Sequence, residues 1–172
     1  MNLDDIPSGS LCVLDTNVLI YAEQGASLQA QRLLRRIEGR DVTGVLPQPV
    51  WQETMHRLMV TEAIMLGHVR GTNPARQLAA KPEVVKGLTM YRDKIKALVT
   101  LGLAFEPCHE SDLLDKALEI QERFGLLTND SLIAAMALRL EADALASADG
   151  RFGAIKEITV YAPSDVKLPS RS

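Results

Sequence analysis

The apolar residues of this chain fall into two alternating patterns. Short continuous runs at residues 11–14, 42–46, 103–105 and 144–146 are too brief for helices. They read as strands, the first of them buried on both faces. Residues 157–161 make a fifth, with Ile158 and Val160 on one face. Between these runs the apolar positions recur at helical steps. Leu33, Leu34 and Ile37 mark a helix over 27–39, opposed by Arg32, Arg35, Arg36 and Arg40. Leu58, Met59, Met65, Leu66 and Val69 mark another, from about Pro49, a residue that suits a first turn, to the late 60s. Val84, Leu88, Tyr91, Ile95 and Leu98 alternate steps of four and three, which predicts one helix over 84–98. Leu113, Leu114, Ala117, Ile120 and Phe124 give the next, and Leu132, Ile133, Met136 and Leu140 the last.

Polar punctuation agrees with this division. Thr16 and Asn17 are cap types before a helix at 18–23, Ser111 or Asp112 before the helix at 113, and Thr128 and Asn129 before the last. Residues 71–82, with Asn73-Pro74 and Lys81-Pro82, read as a loop. Strands alternate with helices throughout. The fold class this predicts is α/β, a three-layer α/β/α sandwich on a mainly parallel five-stranded sheet. Ligands of such sheets bind outside the carboxyl ends of the strands.

Four acidic residues stand at the edges of apolar runs, where that crevice lies. Asp15 follows the first strand, Glu53 lies early in the helix after the second, Asp130 opens the last long helix, and Asp149 follows the fourth strand. Each also has a plain structural role open to it. Asp15 can cap a helix, although Thr16 or Asn17 would suffice. Glu53 can pair with Arg57 one turn on. Asp130 suits the positive end of a helix dipole. Asp149 suits a turn before Gly150. Gathered in one cleft the four would repel each other, and only cations would make the cluster tolerable. Ser147 can support a carboxylate or a bound water. Arg151 can contact a substrate phosphate or lie free on the surface, and Phe152 reads as a core plug.

Composition narrows the field. At 172 residues and 47% hydrophobic, the chain can build a sizeable core without staples. Aromatics at 4% argue against a base-stacking single-strand binder. Cys12 and Cys108 lack metal-ligand spacing and read as thiols of a reducing compartment. No apolar stretch nears the roughly 20 residues of a membrane span, and the acidic start lacks a signal peptide's basic region. The expectation is a cytoplasmic protein. Net charge is −3, from 19 basic and 22 acidic residues. With the four site acids set aside, 19 basic residues face 18 acidic ones, so the remaining surface neither favours nor forbids RNA. His56, His68 and His109 fall outside the motifs and read as surface or packing residues.

Four segments carry a resemblance: Leu14-Asp15-Thr16-Asn17-Val18-Leu19-Ile20, Glu53 after the second strand, Asp130-Ser131-Leu132-Ile133-Ala134-Ala135, and Ser147-Ala148-Asp149-Gly150-Arg151-Phe152. Together they resemble PIN-domain ribonucleases, most closely the VapC-type toxins of toxin–antitoxin pairs. The resemblance implies one PIN-like domain over 1–172. It has a lead-in at 1–10, an extra helical segment at about 62–102 that the compact toxins lack, and a polar tail at 163–172. It implies hydrolysis of RNA to a 5′-phosphate and a 3′-hydroxyl with Mg²⁺ or Mn²⁺, two ions in all. Asp15, Asp130, Asp149 and Glu53 would be the metal ligands and catalytic residues. Thr16, Asn17 and Ser147 would support them, with Arg151 and Arg57 as weaker substrate contacts. The implied partners are RNA, a small antitoxin protein and a second copy in a homodimer, with no membrane. A PIN nuclease outside a toxin pair is the nearest alternative, and a catalytically silent PIN-like module another. A phosphotransferase using Asp15 as nucleophile would want a second acid two positions on, where Asn17 stands.

Overall fold

The computed structural model describes residues 1–166. Its sheet has five strands: β1 (Leu11–Leu14), β2 (Thr43–Pro47), β3 (Ala104–Glu106), β4 (Ala144–Ala146) and β5 (Val160–Tyr161). They lie in the order β3-β2-β1-β4-β5, and every pairing is parallel. This is the α/β sandwich that the alternation predicts. Among the described residues, eight α-helices connect the strands: α1 (Thr16–Glu23), α2 (Leu28–Glu38), α3 (Gln48–Met65), α4 (Pro74–Ala79), α5 (Pro82–Gly87), α6 (Met90–Thr100), α7 (Ser111–Phe124) and α8 (Thr128–Arg139). With the right-handed crossovers usual for parallel strands, this strand order assigns α1 to α6 to one face of the sheet and α7 and α8 to the other.

The strand order reverses direction at β1. The chain runs from β1 to its neighbour β2, and later returns to β4 on the other side of β1. Such a reversal opens a crevice at the carboxyl ends of the two diverging strands. Both strands are held in register one residue past their ends. The Asp15 N–H donates to the Ala146 carbonyl at 3.0 Å, and the Ser147 N–H to the Tyr161 carbonyl at 2.9 Å. The residues that open into the crevice are thus fixed by the sheet itself. Gly44 in β2 has no room for a side chain, since a Cβ would meet Leu103 at 2.6 Å and Ile37 at 2.8 Å. That close approach seats α2 on the sheet.

Several local expectations need correction. Asp15, not Thr16 or Asn17, is the N-cap of α1. Helices α7 and α8 start at Ser111 and Thr128 with no side-chain cap. The loop at 71–82 contains α4: Asn73 takes a left-handed φ of 56°, and Pro74 becomes the first helical residue instead of a turn residue. Of the strand expected at 157–161, only Val160 and Tyr161 pair, because Ile158 turns into the core after a 3-10 helix at Gly150–Ala154. The lead-in at 1–10 is packed, with Leu3 and Ile6 buried and Asn2 capping a 3-10 turn at Leu3–Asp5. The start of the polar tail is bound too: Ser27 donates to Asp165 at 2.5 Å, and the Gln29 N–H to the same carboxylate at 3.0 Å. Residues 167–172 of that tail lie outside the described residues.

The helix expected over 84–98 is two helices, broken at Leu88 and Thr89. The cause is Glu62 on α3. Its carboxylate accepts the backbone N–H groups of Thr89 (2.9 Å), Met90 (3.1 Å) and Tyr91 (2.8 Å). Three donors that begin a helix need partners, and one buried carboxylate supplies them. The periodicity survives the break because its positions serve two clusters. Leu88 packs with Ala63, Val69 and Leu78, whereas Ile95 and Leu98 join the main core, and Tyr91 touches both. Met65 and Leu66, expected on the apolar face of α3, are 69% and 54% exposed.

Candidate active site

Asp15 is the buried centre of the site, 6% exposed. Its Oδ1 accepts the Thr16 N–H at 2.6 Å, and its Oδ2 accepts the Ser147 hydroxyl at 2.5 Å. The Asn17 amide also donates to Oδ2. Asn17 reaches back with its oxygen to the Ala148 N–H at 2.8 Å, so the ends of β1 and β4 are stitched together through side chains. Ser147 is used three times: its hydroxyl also accepts the Asp149 N–H at 2.9 Å and the Asn17 amide at 3.4 Å. Burial pushes the Asp15 carboxyl up. The bonds from Ser147 and Thr16 pull it down, Asp130 and Glu53 push it up further, and the net displacement is upward. The last two contributions place three carboxylates within electrostatic reach of one another.

Asp130 lies in the first turn of α8, and Asp149 caps the 3-10 turn after β4. Arg151 joins them. Its Nε donates to both Asp149 oxygens at 2.9 and 3.0 Å, and its Nη2 to Asp130 Oδ2 at 2.8 Å and also to Asp149 Oδ2. The Arg151 hydrogen bond holds the Asp149 carboxyl below its ordinary value. Asp130 goes the other way: burial raises it, Arg151 lowers it, and Asp149 and Glu53 raise it again, with a net upward displacement. The sequence suggested Arg151 as a phosphate contact. Its bridge between two carboxylates is not legible there.

Glu53 faces the cluster from α3, where α3 packs on α8. Arg57 stands 3.6 Å from it one helical turn on, the pair expected from the spacing. Asn129, expected only as a cap, donates to Glu53 at 3.4 Å and ties the start of α8 to α3. The four acids therefore approach one another from four different elements at the carboxyl edge of the sheet.

The donor set is oxygen only, which suits a hard divalent cation such as Mg²⁺ or Mn²⁺. Two observations bear on the fit. A cation already sits against two of the carboxylates, in the form of the Arg151 guanidinium. The hydroxyls of Thr16 and Thr54, the residues after Asp15 and Glu53 in the chain, are buried without a hydrogen-bond partner among the described residues. Among the described residues, no three acidic, imidazole or thiol side chains are drawn tightly enough to enclose one ion. The chemistry of the set fits a divalent cation, and closing it around one requires side-chain movement.

Other candidates are accounted for. Arg32 is paired with Asp4, and Arg36 with Asp41 and the Ile6 carbonyl, which removes two arginines of α2 from a free basic face. All three histidines are exposed. Burial pushes the Cys12 thiol up to about 12, so it stays protonated at neutral pH. No described helix is long and apolar enough to cross a membrane.

Residues 12–158 match the PIN domain family, a span that contains all four acids. The chain belongs to the PIN-domain family. PIN domains are nucleases, and the family spans most of this chain. Among solved structures, the PIN fold seen here is like that in VapBC2 from Rickettsia felis bound to a promoter DNA fragment. That match has a TM-score of 0.58 at 16% identity, over 88% of this chain and 98% of that one. A toxin–antitoxin complex from Klebsiella pneumoniae matches with a TM-score of 0.56 at 15% identity, over 86% and 95%. VapBC-1 from nontypeable Haemophilus influenzae matches with 0.53 at 16%, over 88% and 97%. At these identities the likeness is one of fold. No curated protein is significantly similar in sequence.

Proposed function

We propose that this PIN protein is a Mg²⁺- or Mn²⁺-dependent endoribonuclease and the toxin of a type II toxin–antitoxin pair. The observation that carries the catalytic part is Asp15: a buried carboxylate, raised by burial and by Asp130 and Glu53, at the point where the sheet opens. A structure that served stability alone would not collect like charges there.

In this reading Asp15 and Asp130 are the principal metal ligands, and Asp149 binds the same or a second ion. Glu53 binds the second ion or orients the attacking water. Ser147 and Asn17 hold the Asp15 carboxylate in one rotamer, with its Oδ1 further fixed by the Thr16 N–H. The four carboxylates would hold the divalent ions, two in this proposal, and the chemistry such ions supply is activation of water and offset of charge on the phosphoryl oxygens. Arg57, beside Glu53, and Arg151, once free of the carboxylates it bridges, would contact phosphates of the RNA backbone. The toxin assignment is supported by the fold shared with toxin–antitoxin proteins. An antitoxin would find an apolar groove of about 550 Å³ between α1, α3 and α6, edged by Met65 and Met90. We propose the cytoplasm as its location and a homodimer as its assembly.

A silent PIN-like binding module is the second reading, and the Arg151 bridge across Asp130 and Asp149 favours it. Cleavage of RNA with Mg²⁺ or Mn²⁺ separates the two. Wild type should cut, while Asp15→Asn and Asp130→Asn should not. Equal cutting by all three would trace the activity to a contaminant, and no cutting by wild type would favour the silent module.

A further inference from the structure

Four carboxylates meet at the crevice, and two arginines face them. The two are not equivalent. Arg57 stands 3.6 Å from Glu53 on the same helix, a long surface pair. Arg151 makes contacts with both Asp149 oxygens and with Asp130 Oδ2, and so cross-links the start of α8 to the turn after β4. A divalent ion held by Asp130 and Asp149 would use those same oxygens. A guanidinium and a metal ion cannot use them together.

The local build also lets Arg151 leave. Its backbone is pinned: the Arg151 N–H donates to Asp149 at 2.9 Å, and the next residue, Phe152, is wholly buried. Its side chain is half exposed. A fixed root with an exposed head can swing from the carboxylates to the crevice rim without any change in the fold.

We propose that Arg151 is a built-in counter-cation that a divalent ion must displace from Asp130 and Asp149. The inference rests on reading the cluster as the metal site, and adds how that site is regulated. Without metal, the guanidinium offsets the repulsion of the carboxylates and keeps the crevice closed to adventitious cations. With metal, it is released at the rim as a positive group for the RNA backbone. Metal entry and the presentation of a phosphate contact become one event. Apparent metal affinity is then lowered by the fraction of molecules in which the clamp is closed.

The test is calorimetric titration of the metal-free full chain with Mn²⁺ alone. A clamp closed in about nine molecules of ten implies that Arg151→Gln binds Mn²⁺ about tenfold more tightly than wild type. In EDTA the same variant should melt below wild type, and it should gain more in melting temperature on adding Mn²⁺. Arg151→Lys keeps one charge but loses the two-point bridge, and should fall between the two. It also serves if Arg151→Gln does not fold. Asp130→Asn should bind Mn²⁺ more weakly. If Asp130→Asn weakens binding but neither Arg151 variant tightens it, the metal site stands and the clamp is wrong. If wild type and Arg151→Gln both fail to bind Mn²⁺ at millimolar concentration, the metal reading fails and takes the clamp with it.

Discussion

Two buried carboxylates, Asp15 and Glu62, invite comparison. Both are nearly closed to solvent, at 6% and 3% exposed, and each accepts three hydrogen bonds. Their electrostatics point in opposite directions. Burial pushes Glu62 up, but the N–H groups of Tyr91, Thr89 and Met90 outweigh it, and the carboxyl ends below its ordinary value. Asp15 ends above its own, because its donors work against burial and against Asp130 and Glu53 together. Glu62 is a satisfied charge that starts a helix, whereas Asp15 is a charge that its burial and its acidic neighbours oppose. Burial of an acid does not by itself mark a functional site; what else faces it does.

The largest expected effect is on the Asp15 side. Asp15→Asn should lower RNA cleavage by about a hundredfold or more, since a metal ligand supplies several kcal/mol in such reactions. Its melting temperature at neutral pH should not fall, because the substitution removes a repelled charge. Glu62→Gln should do the reverse. Cleavage should stay near wild type, while three N–H groups lose a charged acceptor and stability drops by about 2–3 kcal/mol in urea denaturation. If Glu62→Gln abolished cleavage while Asp15→Asn spared it, the contrast would be inverted.

Ser147→Ala comes next. It removes the hydroxyl that donates to Asp15 and accepts from the Asp149 N–H. Outer-shell losses of this type lower activity or metal affinity by about 10–100-fold, and the low end suits a site still held by Asn17. Mn²⁺ titration and cleavage rate should fall together, whereas unchanged values for both would remove Ser147 from the site.

The smallest effect is the pH dependence of stability, measured by urea denaturation in EDTA. The folded value of Glu62 is lowered, so its contribution is present above the ordinary glutamate value, about 4.3, and is lost as pH falls through the folded value. Wild type should lose its advantage over Glu62→Gln in acid. The folded value of Asp15 is raised, so its contribution is present below about 3.9 and is lost as pH rises through the folded value. Asp15→Asn should therefore gain on wild type from acid to neutral pH. Parallel pH profiles for the two variants would contradict the assigned directions.

The sequence made the strands and the acids legible for the same reason. Parallel strands buried on both faces, as β1, β2 and β4 largely are, leave uninterrupted apolar runs, and an acid at the end of such a run has few places to go. Asp15 and Asp149 were visible in this way, and Asp130 through its place in a first turn. Features set by contacts across long sequence distance were not. The break at Leu88 depends on Glu62, 27 residues before Thr89. The apolar step pattern ran across that break because two clusters share one helical phase. Arg151 reads in the sequence as a surface charge or a phosphate contact, and not as a bridge, because its partner Asp130 lies 21 residues away on another element. Asn129 reads as a cap from its neighbours in the chain, and its contact with Glu53, 76 residues away, is not legible there. Asp165 looked like part of a loose tail, and its role at the start of α2 needs the whole domain between them.

The central claim is that Asp15, Asp130, Asp149 and Glu53 share one cation-binding crevice. Anomalous diffraction from crystals soaked in Mn²⁺ tests it most directly. A manganese peak should lie between Asp15 and Asp130, with the Arg151 guanidinium moved off the Asp130 carboxylate. Manganese bound at some other place, with this crevice unchanged and the protein still cutting RNA, would contradict it.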